Sequence, residues 1–329
     1  MLIIPKSMIV GTGSAIPDKV LTNSDLEKIV DTSDEWIRTR SGIEKRHIAA
    51  DDQFSSDLGA EAAKKAMVSA GVAAEELDYI IVATITPDVG FPSTACFIQE
   101  KLAAYNATAM DIAGACTGFI YALELADSLI QAQKAKTILI IGVETLSKVT
   151  DYTDRTTCVL FGDGAGAAIL KPAENGRGVL GTYTKSNGSL HYLLHMPGYG
   201  TKNPPTLASI EKRLNYIKMA GKEVFKFAVT AMGDAAVKIL ENTGLHNDDI
   251  DLLIPHQANL RIIDATAKRI NIPADKVFVN VQNFGNTSAA SIPLALDEAI
   301  SSGRLQQGNT VVLVAFGAGF TWGSAAVKL

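Results

Sequence analysis

The sequence has few cysteines, no metal-binding spacing and no long apolar run. Its 329 residues include three cysteines, at Cys96, Cys116 and Cys158, with no CxxC or CxxH spacing. This pattern argues against a disulfide framework and a zinc site, and it is typical of the reducing cytosol. No apolar run approaches the ~20 residues of a membrane-spanning helix. We therefore expect a cytoplasmic protein without a metal ion or a membrane segment.

The chain also lacks an excess of positive charge. It has 30 Lys and Arg against 35 Asp and Glu, a net charge of −5. That balance does not indicate a nucleic-acid partner, although a local basic patch remains possible. The first ten residues, MLIIPKSMIV, are apolar but interrupted by Pro5 and Lys6, so we expect no signal peptide.

What the chain does have is an alternation of short apolar strands with longer helical stretches. Helical patterns, such as those over residues 56–70 and 224–240, separate β-branched runs of strand length at residues 79–83, 137–141, 252–254, 277–279 and 310–314. This alternation predicts an α/β fold with mostly parallel strands, covered by helices on both faces.

The two halves of the chain repeat one order of elements. In the first half, a strand ending at residues 85–87 leads to a helix, a strand, the turn at Cys116, a buried helix and another strand. In the second half, a strand ending at residues 254–256 leads through the same series, with its turn at residues 283–286. We expect a duplicated α/β unit whose equivalent turns face one another across a pseudo-twofold axis.

Cys116 is the most informative single residue. A predicted strand over residues 107–113 and a tight turn at Gly114 and Ala115 place it at the start of a helical run, residues 117–130. Unpaired N–H groups and the helix dipole at such a position favour a thiolate, which makes Cys116 a candidate nucleophile. A free cysteine is otherwise commonly a small core residue.

Two polar residues follow strands at the matching places of the second half. His256 lies directly after a strand, in Pro-His-Gln-Ala-Asn, and Asn286 lies at the start of the next helix, where an N-cap role is the alternative. The sequence does not separate these alternatives for Asn286. Facing halves would bring both residues to Cys116 at the carboxyl ends of strands, where active sites of α/β folds form.

This trio has no carboxylate partner at a plausible place, unlike a hydrolytic Cys-His-Asp arrangement. Two neutral donors beside an acylated cysteine suit the stabilisation of an enolate, formed when a thioester loses carbon dioxide. Residues 315–320 are expected to follow the last strand and return to the centre, where an N–H could complete an oxyanion hole with that of Cys116. Gly11 and Gly13 lack the third glycine of a dinucleotide site, so no such cofactor is expected.

Several long motifs, distributed along nearly the whole chain, resemble those of one family. They are DEWIRTRSGIEKRHI, FPSTAC, GACTGF, DRTTCVLFGDGAGAAIL, AGKEVFKFAV, PHQANLRII, GNTSAASIPLALDEA and FGAGFTWGSA. The chain resembles β-ketoacyl-acyl-carrier-protein synthase III, the initiating condensing enzyme of bacterial type II fatty acid synthesis. The resemblance implies the thiolase fold, with duplicated halves over residues 1–172 and 173–329 in a layered α-β-α-β-α core. It also implies no cofactor, because coenzyme A thioester is a substrate.

The resemblance also implies roles for individual residues. Cys116 is similar to the acylated nucleophile, and His256 and Asn286 to the pair that promotes decarboxylation of a malonyl thioester. Positions similar to coenzyme A and pantetheine contacts are Thr32, Trp36, Arg40, Arg155, Met219, Gly221, Phe225 and Asn259. Positions that look like the basic patch for an acidic carrier protein are Lys226, Arg261, Lys268 and Arg269. Phe91 matches a position that crosses a homodimer interface and limits acyl length.

One departure concerns Ala318, which stands where many members have glycine and where the second oxyanion donor is expected. The reaction implied is condensation of an acyl-CoA, most simply acetyl-CoA, with malonyl-acyl-carrier protein. The alternatives are a thiolase-fold enzyme of specialised metabolism with a longer or aromatic acyl donor, a thioester hydrolase, and a non-catalytic module that binds carrier protein.

Overall fold

Two large β-sheets, two small two-stranded sheets and three layers of helices make up the fold, which a computed structural model describes for residues 7–329. The strands are β1 Ser7–Ala15, β2 Lys19–Thr22, β3 Lys45–Ile48, β4 Tyr79–Ala83, β5 Thr108–Ile112, β6 Ile138–Glu144, β7 Gly164–Pro172, β8 Gly178–Ser186, β9 Leu194–His195, β10 Lys218–Met219, β11 Leu252–Pro255, β12 Thr310–Gly317 and β13 Thr321–Lys328. The helices are α1 Asn23–Leu26, α2 Asp34–Ser41, α3 Ser55–Ala70, α4 Thr94–Leu102, α5 Gly118–Gln131, α6 Leu207–Glu211, α7 Gly221–Thr243, α8 Leu260–Arg269, α9 Val281–Phe284 and α10 Ser291–Ser301. Residues 1–6 lie outside the described residues; they belong to the N-terminal segment that we expect not to be a signal peptide.

Both large sheets are mixed, which corrects the expectation of mostly parallel strands. The first has the order β1-β7-β6-β4-β5, and β7 runs antiparallel to both of its neighbours. The second has the order β11-β12-β13-β8, in which only β11 and β12 are parallel. The turn from β12 to β13 is too short for the crossover that a parallel pair requires, so this pair is antiparallel.

Alternating side chains on the first sheet fill two separate cores. Ile80 and Val82 of β4 pack under α3 and α4, whereas Ile81 and Ala83 face the centre of the molecule. Successive side chains of a strand point to opposite faces, so a run of apolar residues serves both layers. The predicted α/β class and the α-β-α-β-α layering follow from this arrangement.

Helices α5 and α10 lie between the two sheets and contribute to one shared core. Helices α7 and α8 cover the outer face of the second sheet. Helix α3 packs so closely against β1 that a Cβ on Gly13 would lie only 2.4 Å from the amide nitrogen of Ala66. The glycines rejected as a dinucleotide site therefore allow a strand and a helix to pack closely.

The central helices begin in equivalent ways, although the second turn lies at residues 288–290 and not at the predicted residues 283–286, where α9 ends. A 3₁₀ turn over Ala115–Thr117 leads directly into α5, and a 3₁₀ turn over Ser288–Ala290 leads directly into α10. Ala115 and Ser288, the first residues of the two turns, have similar left-handed φ values of 46° and 48°. The proposed boundary between residues 172 and 173 stays a prediction.

Two sequence predictions are wrong in detail. Residues 277–279 do not form a strand, because only an isolated bridge joins Val277 to Leu253. Residues 315–320 do not follow the last strand, since β12 continues to Gly317 and β13 comes after it. The pairing of β13 along the whole of β12 extends that strand beyond its β-branched run. In residues 7–329 no helix is both long and apolar enough to span a membrane.

The contact between β6 and the turn before α10 gives a stability prediction. A Cβ on Gly142 would lie 2.2 Å from the carbonyl oxygen of Ala289, so Gly142→Ala forces the central layers apart. We expect the free energy of unfolding to fall by about 1–3 kcal/mol in urea titrations. A Cβ on Gly200 meets no atom within 4 Å, and Gly200→Ala should change the value by less than about 0.5 kcal/mol. Equal stabilities of the two variants would contradict the tight contact.

Candidate active site

Two cavities meet at Cys116. The first, about 130 Å³, is lined by Cys116, His256 and Asn286. The second, about 350 Å³, is largely apolar, and its wall includes Ile85, Leu146, Val149, Leu194 and Ile217. Cys116 and Phe161 border both spaces. A group attached to the sulfur can therefore extend into the apolar cavity while a second group approaches past His256.

Burial, rather than the helix terminus, dominates the thiol of Cys116. Cys116 lies in the middle of the 3₁₀ turn, with Thr117 between it and the start of α5, and it is 9% exposed. Burial raises the pKa of the Cys116 thiol to about 12, whereas its own N–H and the Ser288 hydroxyl lower it. Burial therefore opposes the thiolate that the helix start is expected to favour.

A carboxylate that the sequence analysis missed lies near this thiol. Glu144 ends β6, is fully buried and accepts hydrogen bonds from Thr86 Oγ1 at 2.6 Å and from the Ile85 N–H at 3.1 Å. Burial raises the pKa of Glu144 to about 7, and its charge raises that of Cys116. The Ser288 hydroxyl lowers both pKa values without forming a hydrogen bond of regular geometry. The signal available in the sequence was an acidic residue at the end of a fully apolar strand.

His256 is a buried, neutral imidazole. It follows β11, where its N–H donates to the Val314 carbonyl at 2.7 Å, and it is 2% exposed. Burial lowers the pKa of His256 to about 3. Its Nδ1 lies 2.6 Å from the Ser291 hydroxyl, and no carboxylate bonds the ring within residues 7–329. The arrangement therefore differs from a hydrolytic triad even though Glu144 is nearby.

The loop that carries Asn286 fixes the orientation of its amide. The Asn286 N–H donates to the Leu160 carbonyl, and the Asn286 carbonyl accepts from the Gly162 N–H. Its Oδ1 accepts the N–H of Ser288 at 2.9 Å, an Asx-type bond close to a cap, although Thr287 is the residue that directly precedes the 3₁₀ turn. The amide NH₂ has no protein acceptor in the described part of the chain and remains available as a donor. The capping role and a role in binding are thus compatible.

The segment after β12 closes the site next to Cys116. A Cβ on Gly317 would lie 2.7 Å from the Cys116 nitrogen, so only glycine fits there. Ala318 borders the apolar cavity, and its φ lies outside the left-handed region. Alanine therefore fits the backbone at the position where the resemblance leads us to expect glycine. Its role as the second oxyanion donor stays a prediction.

The residues predicted to hold coenzyme A fall into two groups. Those that line the cavity with Cys116 are Met219, Gly221, Phe225 and Asn259. The others lie at the surface, where the Arg155 guanidinium stacks over the Trp36 ring at 5.3 Å and bonds the Asp31 carbonyl. The Thr32 hydroxyl is buried and has no partner among residues 7–329, and the Arg40 carbonyl accepts a hydrogen bond from Asn259. Asn259 thus connects the two groups.

The predicted carrier-protein patch is exposed on α7 and α8. The Arg261 guanidinium stacks over Phe225 of the cavity at 4.8 Å, so the patch reaches the entrance. Arg269 pairs with Asp234 at 3.5 Å, while Lys226 and Lys268 have no salt bridge in residues 7–329. Phe91 is 89% exposed and borders neither cavity. In the single chain it therefore does not limit acyl length.

Comparisons with known proteins agree on one family. The model "3-Oxoacyl-[acyl-carrier-protein (ACP)] synthase III" matches residues 110–188, and its "C terminal" counterpart matches residues 240–329. Beta-ketoacyl-[acyl-carrier-protein] synthase III of Caldanaerobacter subterraneus subsp. tengcongensis is 52% identical over 97% of both chains. The same enzyme of Desulfitobacterium hafniense is 54% identical over 97% of both.

Solved structures give the same result. The crystal structure of 3-oxoacyl-[acyl-carrier-protein] synthase III from Aquifex aeolicus VF5 has a TM-score of 0.92 and 48% identity, covering 98% of this chain and 100% of that one. The priming beta-ketosynthase of the R1128 polyketide biosynthetic pathway has a TM-score of 0.92 and 34% identity, covering 100% and 98%. The expected fold class and condensing activity are confirmed, and the chain belongs to the 3-oxoacyl-[acyl-carrier-protein] synthase III family.

Proposed function

We propose that the chain condenses an acyl-CoA, most simply acetyl-CoA, with malonyl-acyl-carrier protein through an acyl group on Cys116. The observation that carries this proposal is the position of Cys116 at the junction of two cavities. One cavity is apolar and suits an acyl group, and the other holds two polar residues, His256 and Asn286. An acceptor and a nucleophilic partner can thus meet at one sulfur atom.

In the first step the Cys116 sulfur attacks the thioester carbonyl of acyl-CoA. The new C–S bond forms as the bond to the coenzyme A sulfur breaks, and the thiol proton leaves with coenzyme A. The negative charge on the carbonyl oxygen is stabilised by the N–H of Cys116, together with the predicted donor at Ala318. The acyl chain then occupies the apolar cavity.

In the second step the malonyl thioester loses carbon dioxide. The C–C bond breaks, its electron pair forms an enolate, and N–H groups of His256 and Asn286 donate to the enolate oxygen. The enolate carbon attacks the acyl group, and the bond to the Cys116 sulfur breaks. The sulfur regains a proton from solvent, and the product is a 3-ketoacyl thioester on the carrier protein. No resident cofactor takes part.

The same entrance serves both substrates. In this proposal Trp36, Arg155 and Thr32 bind the nucleotide of coenzyme A, and Met219, Phe225 and Asn259 contact pantetheine. The exposed cations Lys226, Arg261 and Lys268 suit the acidic surface of a carrier protein. Arg269 is already paired with Asp234 and contributes less.

We also propose a homodimer. Strand β5 is an edge of the first sheet, with one unpaired side, and the exposed Phe91 lies before α4, which packs on that strand. An open strand edge and an exposed phenyl ring favour association with a second copy. The charge and cysteine content fit a cytoplasmic enzyme that has no nucleic-acid partner.

Loading of Cys116 is the first test. On incubation with acetyl-CoA, the intact mass should increase by one acetyl group, and Cys116→Ala should stay unmodified because it lacks the nucleophile. Cys158→Ala, which removes another buried thiol, should load like the wild type. Acetylation that persists in Cys116→Ala would refute the assignment. Longer and aromatic acyl-CoA donors are tested in parallel. Preferential loading of Cys116 by one of these donors would indicate an enzyme of specialised metabolism.

A second test separates the two steps. His256→Ala and Asn286→Ala should still be acetylated at Cys116, but release of carbon dioxide from malonyl-acyl-carrier protein should fall by about 10²–10³-fold, because one enolate donor is lost. Free acetate release from acetyl-CoA, measured alongside, reports hydrolysis. Normal condensation by His256→Ala, or hydrolysis as the main reaction, contradicts the proposal.

The pH dependence of thiol reactivity tests the effect of burial. Because the pKa of Cys116 is raised to about 12, the thiolate is a minor form at neutral pH. Alkylation of Cys116 by iodoacetamide, followed on its peptide by mass spectrometry, should accelerate about tenfold per pH unit from pH 7 to 9. A plateau below pH 8 would instead show that the helix terminus dominates.

A further inference from the structure

The hydroxyl of Ser291 is the hydrogen-bond partner of the His256 ring. Its Oγ lies 2.6 Å from Nδ1, and both residues are 2% exposed. Ser291 is the first residue of α10, whose position between the two sheets holds the hydroxyl against the ring. In the described part of the chain, this is the only hydrogen bond of that hydroxyl, and Nε2 of His256 has no protein partner.

Only two proton arrangements fit this contact. A neutral imidazole carries one N–H, either on Nδ1 or on Nε2. If Ser291 donates its O–H to Nδ1, the ring proton is on Nε2. If Nδ1 donated instead, the hydroxyl proton of Ser291 would be buried without an acceptor. Buried donors without a partner are strongly disfavoured, so the first arrangement is the stable one.

We propose that Ser291 is a positioning residue that holds His256 in the tautomer with its proton on Nε2. This inference rests on the proposed function, in which an N–H of His256 donates to the enolate oxygen. The ring is neutral because burial lowers the pKa of His256 to about 3. Ser291 thus selects which nitrogen of a neutral ring is the donor, and it does not line either cavity.

The chemistry of the partner decides what the ring can do. A carboxylate at this place would accept the Nδ1 proton and leave Nε2 as a base, as in a hydrolytic triad. A hydroxyl can donate and therefore leaves Nε2 as a donor. In the proposed mechanism, acyl transfer to Cys116 does not use the Nε2–H of His256. Loss of the Ser291 hydroxyl should therefore slow decarboxylation and leave acyl transfer unchanged.

The kinetic test compares Ser291→Ala with Ser324→Ala. Ser324 is also fully buried, and its hydroxyl donates to the Ala235 carbonyl at 2.8 Å, so it is a matched control. We expect Ser291→Ala to lose about 10- to 100-fold in kcat for decarboxylation, with KM and Cys116 acetylation nearly unchanged. Ser324→Ala should match the wild type, and Ser291→Thr, which keeps a hydroxyl, should recover most of the loss.

A spectroscopic test reads the tautomer directly. The chain has five histidines, so ¹⁵N-histidine labelling with His256→Ala as the difference sample assigns the ring nitrogens of His256. We expect a protonated Nε2 in the wild type and a mixture of tautomers in Ser291→Ala. A protonated Nδ1 in the wild type, or full condensation by Ser291→Ala, overturns the inference. If Ser291→Ala does not fold, the wild-type spectrum alone shows which tautomer His256 adopts. Absence of Cys116 acetylation in the wild type would contradict the proposed function rather than this inference.

Discussion

The close approach of two turns at the centre of the molecule is the constraint on which the rest depends. The turns Ala115–Thr117 and Ser288–Ala290 begin the two helices between the sheets, and Gly142 and Gly317 leave no room for a side chain where these turns pack. The first turn follows the end of β5 and the second follows α9, and their contact brings Cys116 to the residues of the second half. A larger side chain at either glycine would separate the halves and open the site.

Burial at this junction is the main cause of the pKa shifts of Cys116, Glu144 and His256. It raises the pKa of Cys116 and Glu144 and lowers that of His256, so the neutral forms of the thiol and the imidazole prevail at neutral pH. A neutral ring can donate one hydrogen bond without the cost of a buried charge. The site is therefore suited to stabilise a charge that develops during the reaction, rather than one present beforehand.

The sequence anticipated the elements better than their pairing. Strand β4 and the helical stretches at α3 and α7 were predicted closely because local hydrophobic patterns define them. Residues 277–279 have a similar apolar, β-branched pattern, but they meet β11 only at the single bridge between Val277 and Leu253. The antiparallel members of both sheets and the role of Glu144 depend on which segments become neighbours, and local composition does not contain that information.

By itself, the sequence determined the α/β class and singled out Cys116, His256 and Asn286, because these follow from local patterns and motifs. Only the tertiary structure decided that burial raises the pKa of Cys116, that Glu144 lies near it, and that the His256 ring is bonded to Ser291. These properties arise from desolvation and from contacts between residues far apart in the chain. They exist only once the two halves have packed together.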